Sequence, residues 1–172
     1  MMKRTVFTIG YEGAELNAFL ATLTLAGVEH LLDIRDVPVS RKRGFSKSSL
    51  ADALATAGIG YTHLKALGDP KPGRDAMKRG DYPAFLTIYS KHIACDEAQK
   101  ALEMAIDIAQ MAKTVLLCYE RNPKHCHRTI VAEQISARED FDVRHLGVNE
   151  MRSLQEKSVR CAANGSLISL PA

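Results

Sequence analysis

TVLLCYERNPKHCHRTIVAEQI, residues 114–135, joins an apolar run to a helical pattern through a short polar turn. The consecutive apolar residues 115–117 are typical of a strand that is buried on both faces of a sheet. From Ile130 to Ile135 apolar residues recur at helical spacing, and Asn122-Pro123 can start a turn with Asn as cap and Pro at the first helical position. The stretch therefore predicts a strand–turn–helix unit.

The same alternation runs through the chain. Strand patterns cover residues 5–9, 30–35, 59–64, 114–119 and 141–146, and helical patterns cover 14–26, 48–57, 81–93, 96–112 and 127–138. This alternation predicts an α/β fold, a Rossmann-like three-layer domain with a mostly parallel sheet of about five strands and helices on both faces. Residues 65–80 are rich in Pro and Gly, which predicts a long polar loop without regular structure.

Length and composition favour one globular domain. The chain has 172 residues, of which 46% are hydrophobic, and this suits a single core. We expect a single α/β domain over residues 1–147, followed at 148–172 by a C-terminal extension that is partly helical or frayed. No apolar run approaches the roughly 20 residues of a membrane helix, and the N-terminus lacks a secretory signal. We therefore expect a cytoplasmic protein with reduced cysteines and no membrane contact.

Positive charge is concentrated in one part of the chain. Between Arg35 and Arg79 ten Lys or Arg stand against four Asp, a net charge of +6, although the whole chain carries only +3. Such an excess indicates an anionic partner, either a phosphate-bearing small molecule or a nucleic acid, and its alternative is a solvated basic surface. In the loop 36–47 we expect Ser40, Arg41 and Arg43 to bind phosphate. Phe45 either stacks on a base or, if the loop is only a solvated surface, is buried in the core.

Polar side chains follow the ends of the predicted strands. Tyr11 follows the first strand, Asp33 and Arg35 end the second, and Glu120 follows the fourth. Because ligands of parallel sheets bind outside the carboxyl ends of the strands, these residues are predicted to converge on one binding edge.

Four ordered motifs resemble a known family. They are TIGYEG at 8–13, LLDIRDVPVSRKRGFSK at 31–47, YTHLKALGDPKPGR at 61–74 and LLCYERNPKHCHRTIVAE at 116–133. Together they resemble the domain of unknown function family 488 (DUF488) over roughly residues 3–147. The resemblance implies a Rossmann-like α/β domain and names no activity. The positions that it carries over are Asp33, Arg35, Pro38, Ser40, Cys118, Glu120, Cys126, His127 and Arg128.

The segment 118–129 contains the reactive side chains. Cys126 is predicted in or near the first turn of a helix, where free N–H groups, the helix dipole and Arg128 would lower the pKa of a thiol. This predicts a nucleophilic Cys126, or an anion cradle in which Arg128 and His127 contact phosphate. The alternative is a buried thiol beside a surface His and Arg.

Two further chemical roles follow from the residue types. Glu120 or Asp33 is a candidate general base or ribose-hydroxyl acceptor, with a structural ion pair as the alternative. Zinc binding by Cys118, His125, Cys126 and His127 is disfavoured by their spacing, so neither a metal nor a cofactor is expected.

The sequence thus favours a small enzyme that acts on a phosphate-bearing substrate such as a nucleotide or nucleic acid. Its candidate catalytic residues are Cys126, Glu120 and Asp33, and its candidate binding residues are Tyr11, Arg35, Ser40, Arg41, Arg43, His127 and Arg128. Two alternatives stay open: a non-catalytic nucleotide- or nucleic-acid-binding module, and a partner-binding protein whose polar edge is only structural.

Overall fold

A five-stranded parallel sheet forms the centre of the computed structural model, which describes residues 3–148. The strands are β1 (Arg4–Gly10), β2 (His30–Asp33), β3 (Gly60–His63), β4 (Thr114–Cys118) and β5 (Phe141–Leu146). Their order across the sheet is β3-β2-β4-β1-β5, and every neighbouring pair is parallel. The predicted parallel sheet of about five strands is confirmed. The predicted extension lies outside the described residues except for Val148.

Helices cover both faces of the sheet, as predicted. The helices are α1 (Leu16–Leu25), α2 (Lys47–Thr56), α3 (Lys71–Lys78), α4 (Tyr82–Ile93), α5 (Asp96–Met111) and α6 (His127–Arg138). Buried residues of α1 and α2 pack on one face, and those of α3 to α6 pack on the other. The part of the chain that the structure describes is therefore a three-layer α/β fold. No helix in that part is long and apolar enough to cross a membrane.

The central position of β4 in the sheet explains why the sequence of this strand is continuously apolar. All five of its residues are buried. Val115 and Leu117 point into the core beneath α1 and α2, whereas Leu116 points into the core beneath α3 to α6. Because alternate side chains enter two separate cores, this strand has no solvent face for polar residues.

The prediction of an irregular loop at 65–80 is wrong. A short 3-10 turn occupies Lys65–Leu67, and α3 begins at Lys71. Pro72 lies in the first turn of α3, where a backbone N–H would have no helical partner in any case, so the proline costs little there. The polar composition of the segment concealed a helix that packs against α4.

The turn before α6 also differs from the prediction. Asn122 and Pro123 start a separate 3-10 turn over Pro123–His125, in which Asn122 Oδ1 accepts a hydrogen bond from the Lys124 N–H at 3.0 Å. The helix α6 begins afterwards, at His127, and Cys126 is its N-cap residue. The thiol therefore stands at the junction of two elements and not inside the helix.

Truncation of a side chain in the central strand tests this account of the core. Leu116 is fully buried, and we expect Leu116→Ala to lower the free energy of unfolding by about 2–5 kcal/mol because it leaves a cavity between the sheet and the helices. Met111 is 81% exposed, and Met111→Ala should change the same free energy by about 0.5 kcal/mol or less. Urea unfolding measures both, and equal losses would contradict the assigned core.

Candidate functional site

A cavity of about 900 Å³ opens at the carboxyl edge of the sheet. Its walls come from the segments that follow β1, β2 and β4 and from α3 and α4. Its cationic side chains are Arg35, Arg41, Lys42, Arg74 and Lys78, its carboxyl groups are Asp36, Asp69 and Glu120, and its sulfur and imidazole groups are Cys118, Cys126, His125 and His127. The predicted convergence of polar side chains on this edge is therefore present in the structure.

Two cysteines meet at this cavity. Cys118 is the last residue of β4, and Cys126 is the N-cap of α6. The loop between them turns back on itself and brings the two Sγ atoms to 2.7 Å from each other. The side chains are almost covered, with exposed fractions of 1% and 4%, yet both line the cavity. The chain therefore presents a contacting pair of thiols to any ligand that enters.

Arg128 lies directly behind the thiols and has no solvent exposure. Its Nη1 donates to the Glu120 carbonyl, its Nη2 donates to the Arg121 carbonyl at 3.0 Å, and its Nε donates to Thr8 Oγ1 at 3.2 Å. Arg128 does not line the cavity. The prediction that this guanidinium forks onto a bound anion is wrong, because protein oxygens already take its hydrogen bonds.

The charge of Arg128 acts on the two sulfur atoms. Its Nη1 lies 3.8 Å from Cys118 Sγ and 3.9 Å from Cys126 Sγ, and no carboxylate of residues 3–148 lies within ion-pair distance of it. A fully buried cation needs a counter-charge, and a thiolate is the one at hand.

The thiolate belongs on Cys118 and not on Cys126. Burial opposes ionisation of Cys118, but the hydrogen bond from the Cys126 thiol and the charge of Arg128 outweigh burial and lower the pKa of Cys118. Burial and the neighbouring Cys118 sulfur raise the pKa of Cys126 well above its usual range. The prediction of a lowered pKa at Cys126 is therefore wrong, and the position at the helix start does not compensate for burial.

His127 is neutral at physiological pH. Its Nε2 lies 2.8 Å from the Ile34 carbonyl, and since a carbonyl only accepts, Nε2 carries the proton. Burial lowers the pKa of His127 to about 4. His127, a predicted anion-binding residue, therefore lines the cavity as a neutral ring and brings no positive charge to it.

Among residues 3–148, the one group of side chains placed to hold a metal ion consists of Cys118, Cys126 and His127. The potential ligand atoms of Cys118, Cys126 and His127 lie within 4.8 Å of one another, whereas His125 packs edge-on against Tyr82. Two thiolates and an imidazole with an open side resemble the ligand set of a catalytic zinc ion. However, Arg128 already places a positive charge beside both sulfur atoms, and this disfavours a second cation.

Asp33 and Arg35 form a buried ion pair. Arg35 Nε and Nη2 donate to the two carboxylate oxygens of Asp33 at 2.8 Å and 2.6 Å, and Tyr61 Oη donates to the same carboxylate at 2.7 Å. Asp33 is fully buried and does not line the cavity. These contacts favour the structural ion pair over the predicted general base. No hydrogen bond or ion pair joins Asp33 or Arg35 to Glu120 or Arg128, even though β2 and β4 are neighbours.

The remaining donors of Arg35 hold the basic loop in place. Its Nη1 donates to the Phe45 carbonyl at 2.8 Å and to Tyr11 Oη at 3.2 Å, so few donors remain for a ligand. Of the two positions predicted for Phe45, the structure shows the core position: the ring is fully buried and stacks on Tyr11 at 4.6 Å, so it is not free to stack on a base. The predicted roles of Arg35 and Tyr11 in anion binding become roles in positioning the loop.

The outer part of the basic loop faces the cavity. Of the three predicted phosphate-binding residues of this loop, Ser40 and Arg41 line the cavity and Arg43 does not. Tyr119 was missed at the level of sequence, although it lies between the strand and the polar turn. It is 49% exposed, lines the cavity and meets Tyr11 edge-on at 5.3 Å. Tyr119 therefore offers the accessible aromatic surface that was expected from Phe45.

Asp69 is a second residue that the sequence did not single out as functional. It lines the cavity with an exposed fraction of only 7%, and its Oδ1 has no hydrogen-bond partner. Burial raises the pKa of Asp69 to about 7, with a further rise from Asp36 and an opposing effect of Arg74. A carboxyl group that titrates near neutral pH can both donate and accept a proton.

Glu120 supplies another carboxyl group on the cavity wall. Partial burial, together with the negative charge of Glu12, raises the pKa of Glu120. The Glu120 side chain remains exposed, and its backbone carbonyl, not its carboxylate, binds Arg128. Glu120 thus shares the cavity with the two thiols, and its role as a general base stays a prediction.

One family model matches the chain. It is described as a domain of unknown function, DUF488, and it matches residues 15–135. No significant similarity links the chain to a curated protein or to a solved structure.

The pKa of Asp69 predicts an effect on stability. Between its usual value of 3.8 and about 7, the unfolded chain has released the proton that the folded chain retains, so Asp69 lowers stability as pH rises through this window. The Asp69→Asn variant has no carboxyl group at this position and therefore does not lose stability in this way as pH rises. We expect the variant to gain stability relative to the parent protein between about pH 4 and about pH 7 and to gain no more above it. Urea unfolding across this range measures the difference, and a difference independent of pH would contradict the assignment.

Proposed function

The chain belongs to the DUF488 family, and we propose that it is an enzyme that binds a phosphate-bearing substrate in the cavity and acts on it with the Cys118 thiolate. The observation that carries this proposal is the cavity itself. A contacting thiol pair backed by a buried guanidinium lies at its base, and exposed cations lie around it. Three of the four motifs on which the family resemblance was based lie within the matched residues 15–135, and they supply most of these side chains.

Phosphate is the anion that the cavity walls suit best. Arg41 is exposed, and no carboxylate of residues 3–148 pairs with it, so its fork of donors is available. Lys42 and Lys78 are held only by long ion pairs, at 3.8 Å to Glu15 and 4.0 Å to Asp75. Such exposed pairs are worth little and yield readily to a ligand with more charge. Protonation of Asp69 removes one of the few opposing charges.

The size of the cavity favours a nucleotide over a polynucleotide. About 900 Å³ lies within the range of small-molecule sites, and the shape is a single concavity with one accessible aromatic ring, that of Tyr119. One ring can stack on one base, whereas binding of a long single strand uses several rings along a groove. We therefore place a mononucleotide, or a molecule of similar size, ahead of a nucleic acid.

The chemistry that we propose is nucleophilic attack followed by proton transfer. The Cys118 sulfur forms a bond to an electrophilic centre of the substrate, the bond to the leaving group breaks, and the leaving group takes a proton from Asp69. Water then attacks the same centre, gives its proton to Asp69 or Glu120, and releases the product and the thiolate. Asp69 lies in the same neighbourhood as the two cysteines. Burial makes the largest contribution to the raised pKa of Tyr89, and Asp69, Cys126 and Cys118 all raise it further.

The alternative is a non-catalytic nucleotide- or nucleic-acid-binding module. The observation that favours it is the low exposure of the thiols, at most 4%, which restricts approach to the sulfur. Either version of the proposal includes a reducing, cytoplasmic compartment, in which Cys118 and Cys126 remain thiols.

Neighbouring arginines provide a matched test of binding. Arg41 lines the cavity and Arg43 does not, although both are exposed and lie in the same loop. We expect Arg41→Gln to weaken binding of AMP or ADP about tenfold, because a charge-assisted hydrogen bond is lost, and Arg43→Gln to change it less than twofold. Isothermal titration calorimetry at low and at high salt measures both. Equal losses would indicate only general attraction by charge and would contradict the site.

Cysteine variants separate the enzyme from the binding module. With mononucleotides as substrates and chromatography of the products as readout, we expect turnover that Cys118→Ser lowers at least a hundredfold while AMP binding is retained. Cys95, which is half-buried and outside the cavity, is the matched control, and Cys95→Ser should retain turnover. Binding without any turnover in the parent protein would favour the module.

A further inference from the structure

We propose that Cys118 and Cys126 form a reversible disulfide when a hydroperoxide enters the cavity. The pair is thus a modification site whose reactant is a peroxide of small size. This inference does not depend on which substrate the cavity takes or on whether the chain turns one over, since it concerns the thiols alone.

The geometry requires little movement. The two Sγ atoms lie 2.7 Å apart, and a disulfide needs about 2.05 Å. Cys118 ends a strand, and Cys126 precedes a helix, with the exposed turn of residues 119–125 between them. A small adjustment of this turn closes the remaining distance without displacing the sheet or α6.

The electrostatics favour the first chemical step. Peroxides react with thiolates and not with thiols, and Arg128 stabilises a thiolate from a distance of 3.8 Å. The Cys118 sulfur forms a bond to one peroxide oxygen, the O–O bond breaks, and the other oxygen leaves as hydroxide or alkoxide. Cys118 is then a sulfenic acid. Two electrons have passed from its sulfur to the peroxide.

The neighbouring thiol completes the reaction. The Cys126 sulfur attacks the sulfenic sulfur, the S–O bond breaks, and the hydroxyl group leaves with the proton of Cys126 as water. A disulfide results, and a dithiol reductant returns both cysteines to thiols by exchange. Because the second sulfur is already in contact with the first, the sulfenic acid is short-lived and is protected from further oxidation.

Metal binding is the competing use of the same atoms. An ion would need both sulfurs as thiolates, whereas the contact between them indicates one shared proton. It would also lie close to Arg128, whose Nη1 is within 3.9 Å of both sulfur atoms. One thiolate, one thiol and one guanidinium leave little net charge in this buried space, and a divalent cation would upset that balance.

The experiment uses the full chain with Cys95→Ser and Cys161→Ser, so that only the pair remains. Cys161 lies outside the described residues and is removed for clear assignment. Stoichiometric hydrogen peroxide should abolish two free thiols and lower the intact mass by about 2 Da, and dithiothreitol should restore both. In the unaltered chain, peptide mass spectrometry should find the Cys118–Cys126 cross-link, and this readout requires no variant to fold.

Single replacements test the assigned roles. In the Cys126→Ser variant, oxidation by peroxide should stop at a sulfenic acid on Cys118, which dimedone traps. The Cys118→Ser variant should react with peroxide at least tenfold more slowly than the intact pair. Formation of sulfinic acid on the intact pair without a cross-link would overturn the proposal. So would a stoichiometric zinc ion that survives dialysis and protects both thiols. Neither readout involves a nucleotide, so failure of the proposed function would leave this result unaffected.

Discussion

Burial of the Arg128 guanidinium is the constraint on which the carboxyl edge of the sheet depends. A cation without solvent exposure must find a partner for each donor, because an unpaired buried charge costs several kcal/mol. Arg128 meets this need with backbone carbonyls of the loop after β4 and with Thr8 of β1. The loop is thereby drawn over Gly10, where any Cβ would overlap the Glu120 carbonyl. The same cation leaves the two sulfur atoms in a positive field, so one residue shapes the loop and makes a thiolate favourable.

A second buried guanidinium organises the opposite wall by the same principle. Arg35 satisfies its donors with Asp33, Tyr11 and the Phe45 carbonyl, and it thereby ties the basic loop to the end of β2. Both arginines were expected to hold a ligand, and both instead hold the protein. Contact with an anion falls to the outer cations, above all Arg41, because most donors of Arg35 and Arg128 are already bound to the protein. The two walls are rigid where charge is buried and adaptable where it is exposed.

Much of the fold and part of the site could be predicted from periodicity. Apolar runs of the β4 type, alternating with helical patterns, determine a parallel sheet, and parallel strands bring the residues after them to one edge. The segment 65–80 was misread because proline in a first helical turn is hard to distinguish from proline in a loop. Asp69 was missed with it. Its raised pKa arises from burial, with a further rise from Asp36, and both effects exist only in the folded chain.

The α/β domain, and the grouping of a thiol, an acid and several cations at the carboxyl ends of its strands, can be predicted from the amino-acid sequence alone. The role of each of these groups depends on contacts that form only when the chain folds. Cys118 and Cys126 are eight residues apart, and their spacing does not reveal that the sulfurs touch or that Arg128 lies behind both. Ionisation depends on burial and on charges a few ångströms away, and these distances are set by packing of strands and helices that are remote in sequence.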